Sequence, residues 1–315
     1  MKYQRICVIG GSGFIGGYLG ERLAEAGLDI TFATRNYEQH KEKLIVLPKT
    51  ELVEVNVHDQ AKLDALLHGH DAVISMVGIL HGTRAAFERA HVALPEKIIQ
   101  ACRTNGIRRL IHISALGANA SGPSDYQQTK GLAEQRIEAS GLDWTILRPS
   151  VVFGRGDSFL TLFSHLASAL PALPLAGAAT RFQPIWADDV ARAMVACLAN
   201  DTTIHRKLEL AGPTVYTLRQ LVNYVAGLNG HKPLIVGLPT GLAMLQAGLM
   251  ELLPGQPLMS RDNVRSLTVD NVSPSPFPVD LLGFTPTALE AVAPLYLGKA
   301  EVNEVRSHFR TEAGR

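Results

Sequence analysis

The sequence predicts an α/β protein, in which a doubly wound parallel sheet is followed by a smaller, mostly helical lobe. In the first 150 residues, short runs rich in Val, Ile and Leu alternate with longer helical patterns. The short runs are continuously apolar, which is expected where helices cover both faces of a parallel sheet. After Pro149, proline and glycine become frequent and strand-like runs become sparse, so a different architecture is expected there.

The elements of the first part follow from these runs. Glycines at 27, 106 and 141 each follow a predicted helix, where a left-handed C-terminal residue favours glycine. The strands are predicted at 6–9, 30–34, 52–55, 72–77, 110–114 and 144–147, and the helices at 14–26, 61–67, 87–103 and 126–139.

The later part is predicted from further helical patterns and one strand. We place the domain boundary so that 1–150 forms the sheet domain and 151–315 the lobe. A strand near 207–211 is expected to return to the sheet edge. Asp188 and Asp189 precede a helical run and are interpreted as caps of its free N–H groups. The helices are predicted at 159–170, 187–199, 218–226 and 240–252.

Charge and cysteine usage exclude several classes of function. The chain has 30 Lys and Arg against 29 Asp and Glu, so no polyanion such as nucleic acid is indicated as a partner. No Cys or His cluster has the spacing of metal ligands, so no metal site is predicted. Cys7 and Cys197 lie in apolar segments and are interpreted as core residues, which fits a reducing, cytoplasmic compartment. Because the N-terminus leads almost directly into a strand, no signal peptide is expected.

A glycine-rich loop follows the first predicted strand and opens the first predicted helix. The sequence at 10–16, GGSGFIG, satisfies both G-x-x-G-x-x-G and G-x-G-x-x-G, and its place between strand and helix makes the motif specific. Glycine permits the tight turn, the close approach of a pyrophosphate and the packing of helix on strand, while free N–H groups at the helix start bind phosphate. The loop predicts a Rossmann-type nicotinamide dinucleotide site, with binding residues Gly10, Ser12, Gly13, Phe14, Ile15 and Gly16.

The end of the second strand indicates which dinucleotide binds. An NAD site uses a carboxylate there to bind the ribose hydroxyls, but the sequence at 33–36 reads ATRN. The planar guanidinium of Arg35 suits a 2′-phosphate instead. We therefore predict NADP(H) rather than NAD(H), with Thr34 and Arg35 at the adenosine ribose. The alternative is that Arg35 is only a solvated charge at the strand end.

A second group of residues indicates hydride-transfer chemistry. Ser114 ends the fifth predicted strand, and Tyr126 and Lys130 lie one turn apart on one face of the next helix. A lysine ammonium beside a tyrosine is expected to lower the pKa of the phenol and let it act as a general acid or base. Lys130 is also expected to bind the nicotinamide ribose, and Ser114 to polarise the substrate oxygen. The alternative is a surface tyrosine and lysine on an ordinary helix.

These motifs resemble the short-chain dehydrogenase/reductase superfamily in its extended or atypical branch. Within that branch the chain is most similar to bacterial relatives of the nucleotide-binding accessory subunit of respiratory complex I. Besides the glycine loop and the tyrosine–lysine pair, the resemblance is carried by 112–118 (HISALGA), 147–154 (LRPSVVFG), 182–190 (FQPIWADDV) and 258–264 (LMSRDNV). It therefore covers most of the chain.

The resemblance implies further cofactor contacts. The turn after the fourth strand would contact the adenosine end, and a backbone segment after the sixth strand would hold the nicotinamide amide. Asn56 stands where relatives often have an acid that contacts adenine, and an asparagine can still hydrogen-bond adenine. The residues assigned in this way are Asn56, Val57, Val77, Gly78, Pro149, Val151 and Val152.

Two functions remain open. The Ser114, Tyr126 and Lys130 set favours an NADP(H)-dependent oxidoreductase or epimerase with an apolar or bulky substrate. The resemblance also admits a non-catalytic nucleotide-binding accessory or assembly component of a larger complex, cytoplasmic or peripheral to the inner membrane.

Residues 233–250 carry no charge, and this feature favours the second function. Because proline and glycine interrupt the stretch, it predicts a buried or partner-facing helix in preference to contact with a membrane surface. We take 233–253 as the candidate contact for a partner protein or a membrane surface. Among the histidines, only His81 is placed within reach of the cleft, and it is assigned no role.

Overall fold

A seven-stranded parallel sheet lies at the centre of the structure, a computed structural model that describes residues 2–38, 46–253, 255 and 257–298. The strands within these residues are β1 (Arg5–Ile9), β2 (Asp29–Thr34), β3 (Thr50–Glu54), β4 (Ala72–Ser75), β5 (Arg109–Ile113), β6 (Asp143–Pro149), β7 (Val152–Phe153), β8 (Ala172–Ala176), β9 (Arg181–Phe182), β10 (Ile185–Trp186), β11 (Arg206–Leu210), β12 (Tyr216–Thr217) and β13 (Leu234–Leu238). In the central sheet their order is β11-β6-β5-β4-β1-β2-β3. The order reverses between β1 and β4, and doubly wound sheets bind ligands at such a switch point, outside the carboxyl ends of the strands.

Helices cover both faces of the sheet and form most of the lobe. Within the described residues they are α1 (Phe14–Glu25), α2 (Gln60–Leu67), α3 (Arg84–Glu88), α4 (Leu94–Thr104), α5 (Asp125–Glu138), α6 (Phe159–Ala169), α7 (Ala187–Ala199), α8 (Leu218–Leu228), α9 (Thr240–Glu251), α10 (Arg261–Ser266), α11 (Val279–Leu282), α12 (Leu289–Val292) and α13 (Pro294–Leu297). Side chains of β1 alternate between the faces. Ile6 and Val8 share a core cluster with α1 and α7, whereas Cys7 and Ile9 share one with α2 and α4. The predicted doubly wound α/β fold is confirmed.

All six predicted strands of the first 150 residues form close to the predicted places, and so do three of the four predicted helices. Gly27, Gly106 and Gly141 adopt left-handed φ angles of 74°, 68° and 69° after their helices. The predicted return strand is β11, which pairs in parallel with β6. Residues after 150 therefore belong in part to the sheet domain. They supply the edge strand β11, and the helix α7 packs beside α1 on one face of the sheet.

One predicted helix is interrupted. The pattern at 87–103 predicts a single regular helix, but the structure has α3, a π-helical turn at Arg89–Ala93, and then α4. The segment also begins earlier than predicted, because the Thr83 hydroxyl caps it by accepting a hydrogen bond from the Ala86 N–H. π-turns are rare and frequently occur at functional sites, and His91 lies in this one.

The sequence did not predict the small strand pairs of the lobe. β8 pairs in parallel with β13, β7 pairs in parallel with β10, and β9 pairs antiparallel with β12. Pro174 lies within β8 and Gly237 within β13. Both residue types weaken a strand prediction. The other four strands have two residues each, which is too short for a periodic pattern.

The interpretation of Asp188 and Asp189 as helix caps is wrong. Trp186 holds the N-cap position of α7, and both aspartates lie inside the first turn. The carboxylate of Asp188 accepts hydrogen bonds from Nε and Nη2 of Arg22 on α1, at 2.6 and 2.5 Å. Asp189 accepts one from the backbone N–H of Thr287 at 2.6 Å. Both carboxylates thus accept hydrogen bonds from residues distant in the sequence. These bonds hold α7 against α1 and against the C-terminal segment.

The uncharged stretch 233–250 forms β13 and most of α9. Only Ala243 and Ala247 of α9 are buried, and its leucines are exposed to solvent. Of the two predicted alternatives, a buried or a partner-facing helix, the structure excludes the buried one. Across the part of the chain that the structure describes, no helix has the length and apolar character needed to cross a membrane.

Arg109 on β5 joins the sheet to the end of α7. Its side chain is completely buried. Nη1 donates to the Asp143 carbonyl at 2.7 Å, and Nη2 donates to the Cys197 carbonyl at 2.7 Å and to Thr145 Oγ1 at 2.8 Å. Burial lowers the pKa of Arg109, but a guanidinium keeps its charge in proteins. A cation held by neutral oxygens therefore links β5, β6 and α7.

Replacing Arg109 by alanine is expected to lower the free energy of unfolding by about 3 kcal/mol, because buried oxygens lose their donor and a cavity remains. Arg108→Ala is the matched control, since its exposed guanidinium pairs with Asp143 in solvent and should contribute little. Urea denaturation followed by circular dichroism measures both. Equal stability of the two variants would contradict the role assigned to Arg109.

Candidate cofactor and active site

The glycine loop requires glycine at two positions and leaves open space at a third. Gly10 has a φ angle of 85°, and a Cβ on it would lie 2.7 Å from the Val77 nitrogen. A Cβ on Gly16 would lie 1.7 Å from the Gly11 carbonyl oxygen. By contrast, a Cβ on Gly13 would meet no described atom within 4 Å. Close backbone packing therefore requires the outer glycines, and the middle one borders space of the kind that a diphosphate occupies.

The start of α1 is suited to bind an anion. Gly13 is the N-cap residue and offers no side chain, and the first turn contains no acidic residue. The first N–H groups of the helix, from Phe14 onward, therefore lack intrahelical acceptors and add to the positive end of the helix dipole. Ser12 and Ile15 are partly exposed beside them. These residues fit the diphosphate of a dinucleotide.

The carboxyl end of β2 carries positive charge. Thr34 is buried there, whereas Arg35 is exposed. Burial, and then the charges of Arg89 and Arg35, lower the pKa of His58. Both guanidinium groups therefore act on the same small region. Asn56 accepts a hydrogen bond from the His58 N–H at 3.1 Å, so its carbonyl oxygen holds the turn that Val57 also occupies.

Lys130 connects α5 to the loop after β4. Its Nζ donates a hydrogen bond to the Ile113 carbonyl at 3.0 Å, and a Cβ on Gly78 would lie 3.4 Å from this nitrogen. Burial lowers the pKa of Lys130 to about 8. Because Gly10 packs against Val77, the residue before Gly78, the glycine loop and Lys130 lie on two sides of one turn.

Tyr126 lies one helical turn before Lys130 and packs edge-on against two rings. The ring centroids of Phe87 and His91 are 6.3 and 5.5 Å from that of Tyr126. Burial raises the pKa of the phenol to about 12. The expectation that Lys130 lowers this pKa is wrong, because desolvation dominates at Tyr126 while the lysine donates to the Ile113 carbonyl. The phenol therefore holds its proton at neutral pH.

The Ser114 hydroxyl is hydrogen-bonded to a buried cluster of charged side chains. Its hydroxyl donates to Glu134 Oε1 at 2.5 Å, two turns along α5 from Tyr126. Glu134 also accepts from Arg148 Nε at 2.9 Å and lies 3.4 Å from the Lys207 ammonium. The structure thus places Tyr126 and Lys130 one turn apart on α5, whereas the Ser114 hydroxyl anchors α5 to the end of β5.

His91 is a site residue that the sequence reasoning missed. It is buried in the π-turn, and its Nε2 accepts a hydrogen bond from the Ile79 N–H at 3.1 Å. Its Nδ1 lies 3.0 Å from the Thr129 hydroxyl, which itself donates to the Asp125 carbonyl at 2.7 Å. His91 must therefore donate through Nδ1, which fixes the neutral tautomer, and burial lowers its pKa to about 3. The sequence offered only one signal, the position of His91 four residues after Phe87 on an apolar helical face.

Asn271 is a second missed residue, and it holds the segment predicted to contact the nicotinamide. Its Oδ1 accepts from Ser150 Oγ at 2.6 Å and from the Val151 N–H at 2.9 Å. Its Nδ2 donates to the Leu116 carbonyl at 3.2 Å. This side chain ties the turn between Pro149 and Val152 to the loop after β5. No sequence motif marked it.

The helix α10 of the lobe holds the N-terminus of α5. The Asp262 carboxylate accepts from the N–H groups of Asp125 and Tyr126 at 2.7 and 3.2 Å. Asn263 Nδ2 donates to the Leu80 carbonyl at 3.3 Å, in the loop after β4. Backbone groups at the edge of the site are therefore positioned by the lobe.

The fold and the glycine loop define an NAD(P)H-binding protein of the extended short-chain dehydrogenase/reductase type. A model of the NAD(P)H-binding family matches residues 10–201, and the chain belongs to this family. It is 30% identical over 280 residues to the mitochondrial NADH dehydrogenase (ubiquinone) 1 alpha subcomplex subunit 9 of Arabidopsis thaliana, covering 84% of this chain and 70% of that protein. The predicted resemblance is confirmed.

Two further comparisons widen this picture. The chain is 25% identical to the ceramide reductase of Caulobacter vibrioides, over 74% of this chain and 73% of that protein. The crystal structure of a nucleoside-diphosphate-sugar epimerase from Staphylococcus aureus superposes with a TM-score of 0.72 at 17% identity, covering 91% of this chain and 98% of that one. At this identity the superposition shows a shared fold.

His91→Phe is expected to weaken NAD(P)H binding about tenfold, because phenylalanine keeps the ring packing but removes both hydrogen bonds. The Ile79 N–H then loses its acceptor, and the loop after β4 is released from α5. His91→Gln can still accept and donate, so its Kd should stay close to that of the wild type. Nucleotide fluorescence titration measures all three proteins. Tight binding by the phenylalanine variant would show that ring packing alone holds the loop.

Proposed function

We propose that the protein is an NADP(H)-dependent reductase in which Tyr126 protonates a substrate carbonyl. The proposal rests on one line of contacts. Gly10 packs against the backbone of Val77, and the next residue, Gly78, borders the Lys130 ammonium. Lys130 lies one turn from Tyr126 on α5. A dinucleotide whose diphosphate lies on the glycine loop would extend along this line towards the phenol.

A carbonyl reduction needs a hydride and a proton. A bound NADPH would supply a hydride to the carbonyl carbon, and the carbonyl oxygen must then take up a proton to give the alcohol. Tyr126, with its pKa raised by burial to about 12, holds such a proton at neutral pH. Lys130, with its pKa near 8, is mostly protonated below that pH. We assign its N–H groups to the nicotinamide ribose.

We further propose NADP(H) as the preferred cofactor. The support is the exposed guanidinium of Arg35 at the carboxyl end of β2 and the second cation, Arg89, that acts on the same region. Guanidinium groups form charge-assisted, bidentate hydrogen bonds with phosphates. The adenosine contacts of Thr34, Asn56 and Val57 and the amide contacts of the segment Pro149 to Val152 are part of the same proposal.

Arg35→Ala is expected to raise the Kd for NADPH by about 10- to 150-fold, the loss of about 1.5–3 kcal/mol for a charge-assisted hydrogen bond. The Kd for NADH should change little, because NADH has no 2′-phosphate. Arg206→Ala, at an exposed position on the edge strand β11, is the control. A parallel loss of affinity for both cofactors would contradict the preference.

We propose an apolar carbonyl compound of the lipid class as the substrate. The support is twofold. A relative is named a ceramide reductase, and the lobe presents many exposed leucines next to α10, the helix that holds Tyr126. Residues 233–250, which cover β13 and nearly all of α9, carry no charge for a phosphorylated sugar to bind.

Turnover by this mechanism is expected to depend on Tyr126. The Tyr126→Phe variant should lose about a thousandfold in kcat, the scale of a missing general acid, with the Kd for NADPH unchanged. NADPH oxidation is measured against long-chain ketones, quinones and nucleotide sugars, with Tyr224→Phe on α8 as the control. Tight NADPH binding without turnover of any compound would overturn the reductase.

That outcome would favour a second function, a nucleotide-binding component of a larger assembly. Two observations support it. The Ser114 hydroxyl is held by Glu134 and is not presented to a substrate. Several relatives are named as subunits of NADH dehydrogenase. In such a protein the dinucleotide would stabilise the fold, and the exposed surface of 233–253 would supply the attachment.

A further inference from the structure

The helix α9 buries its small residues and exposes its large apolar ones, the reverse of an ordinary amphipathic helix. Its small residues Ala243 and Ala247 face inward and pack with Ala176 and Val264. Its leucines face solvent. We define the leucine face as five residues that are between 56% and 81% exposed: Leu242, Leu245, Leu249, Leu252 and Leu253.

The leucine face is a continuous stripe. Positions 242, 245, 249 and 252 recur at intervals of three and four residues, so they lie along one side of the helix. Leu258, just before α10, is also more than half exposed. Scattered exposed leucines are normal on any protein, but a grouped set of this size marks a surface that is covered in use.

Charge surrounds the leucine face without interrupting it. Residues 233–250 contain no charged residue, and the exposed Lys232 precedes them. At the other end, Arg261 Nε donates to Glu251 at 2.7 Å, and Arg265 also acts on this carboxylate. Arg261 is paired with Glu251, and the Asp262 carboxylate is buried against α5, so Arg265 is the exposed cation at the rim beside the leucines.

This composition fits a bilayer better than a protein. Specific protein interfaces concentrate their binding energy in Trp, Tyr and Arg and under-use Leu, whereas residues 233–250 contain no Trp, Tyr or Arg and are rich in leucine. Burial of leucine in hydrocarbon is non-directional and needs no matching pocket. A cationic rim beside an apolar helix is typical of helices that lie in the plane of an anionic membrane surface.

We propose that the leucine face docks the protein onto the surface of a bilayer that contains anionic lipid. α9 lies in the interface and the rim arginine contacts lipid headgroups. The docking surface also connects to the site. Arg261 links α9 to α10, and the next two residues, Asp262 and Asn263, hold Tyr126 and Leu80. As an extension that rests on the proposed reductase function, the bilayer is the source of the lipid carbonyl substrate.

Vesicle binding by the full chain tests the docking without any turnover. The wild type should sediment with vesicles of phosphatidylcholine and phosphatidylglycerol, and more weakly with phosphatidylcholine alone or at high salt. The Leu245→Ser and Leu249→Ser double variant should bind at least about tenfold more weakly. The control is the double variant Leu170→Ser and Leu295→Ser, which replaces exposed leucines outside the leucine face and should bind as the wild type does.

The Kd for NADPH shows whether a variant is still folded, independently of vesicle binding and of turnover. Both double variants should keep the wild-type Kd for NADPH, because neither touches the glycine loop. A wild type that does not bind vesicles of either composition overturns the proposal, as does equal binding by the two double variants. So does a stable complex with a second copy or another protein through the leucine face in the absence of vesicle binding. Vesicle binding with no reductase activity would leave the docking in place and overturn the proposed reductase together with the substrate extension.

Discussion

The close packing of the glycine loop on the backbone after β4 is the constraint on which the site depends. Gly10 brings the ends of β1 and β4 so near that a Cβ would lie 2.7 Å from the Val77 nitrogen. This contact sets where the chain turns at Gly78, and hence how that turn meets the Lys130 ammonium. His91 fixes the other end of the turn through the Ile79 N–H. Three residues of one loop are thus held from both sides, by a strand end and by a helix.

The helix α5 carries both the chemistry and its support on one face. Residues 126, 130 and 134 recur every four positions, so their side chains lie in line. The first two are the residues to which we assign the proposed chemistry, and Glu134 anchors the line through Ser114 and Arg148. At the helix start, Asp262 accepts from two backbone N–H groups. Because α5 is held at its start and along this face, the phenol of Tyr126 has little freedom to move away from the turn after β4.

The sequence predicted the parts of this molecule that depend on local pattern. Most sheet strands are apolar runs and the glycine loop has a fixed spacing, so the central sheet and the loop were predicted close to where the structure has them. What it could not predict depends on partners far away in the chain. Asp188 binds Arg22 across 166 positions and Asn271 binds Val151 across 120, so neither role has a local signature. The raised pKa of Tyr126 likewise follows from burial by packed elements and not from the spacing of its helix.

Residues of the lobe hold parts of the candidate site in position. Asp262 and Asn271 lie far along the chain, yet they hold backbone groups of α5 and of the turn after β6. The position of α10 is therefore coupled to that of the first turn of α5, where Tyr126 lies. The neighbouring helix α9 exposes its leucines rather than burying them, and Arg261 joins it to α10 through Glu251. The exposed leucines of α9 are thus connected to the first turn of α5 by two polar contacts, the Arg261–Glu251 pair and the hydrogen bond from the Tyr126 N–H to Asp262.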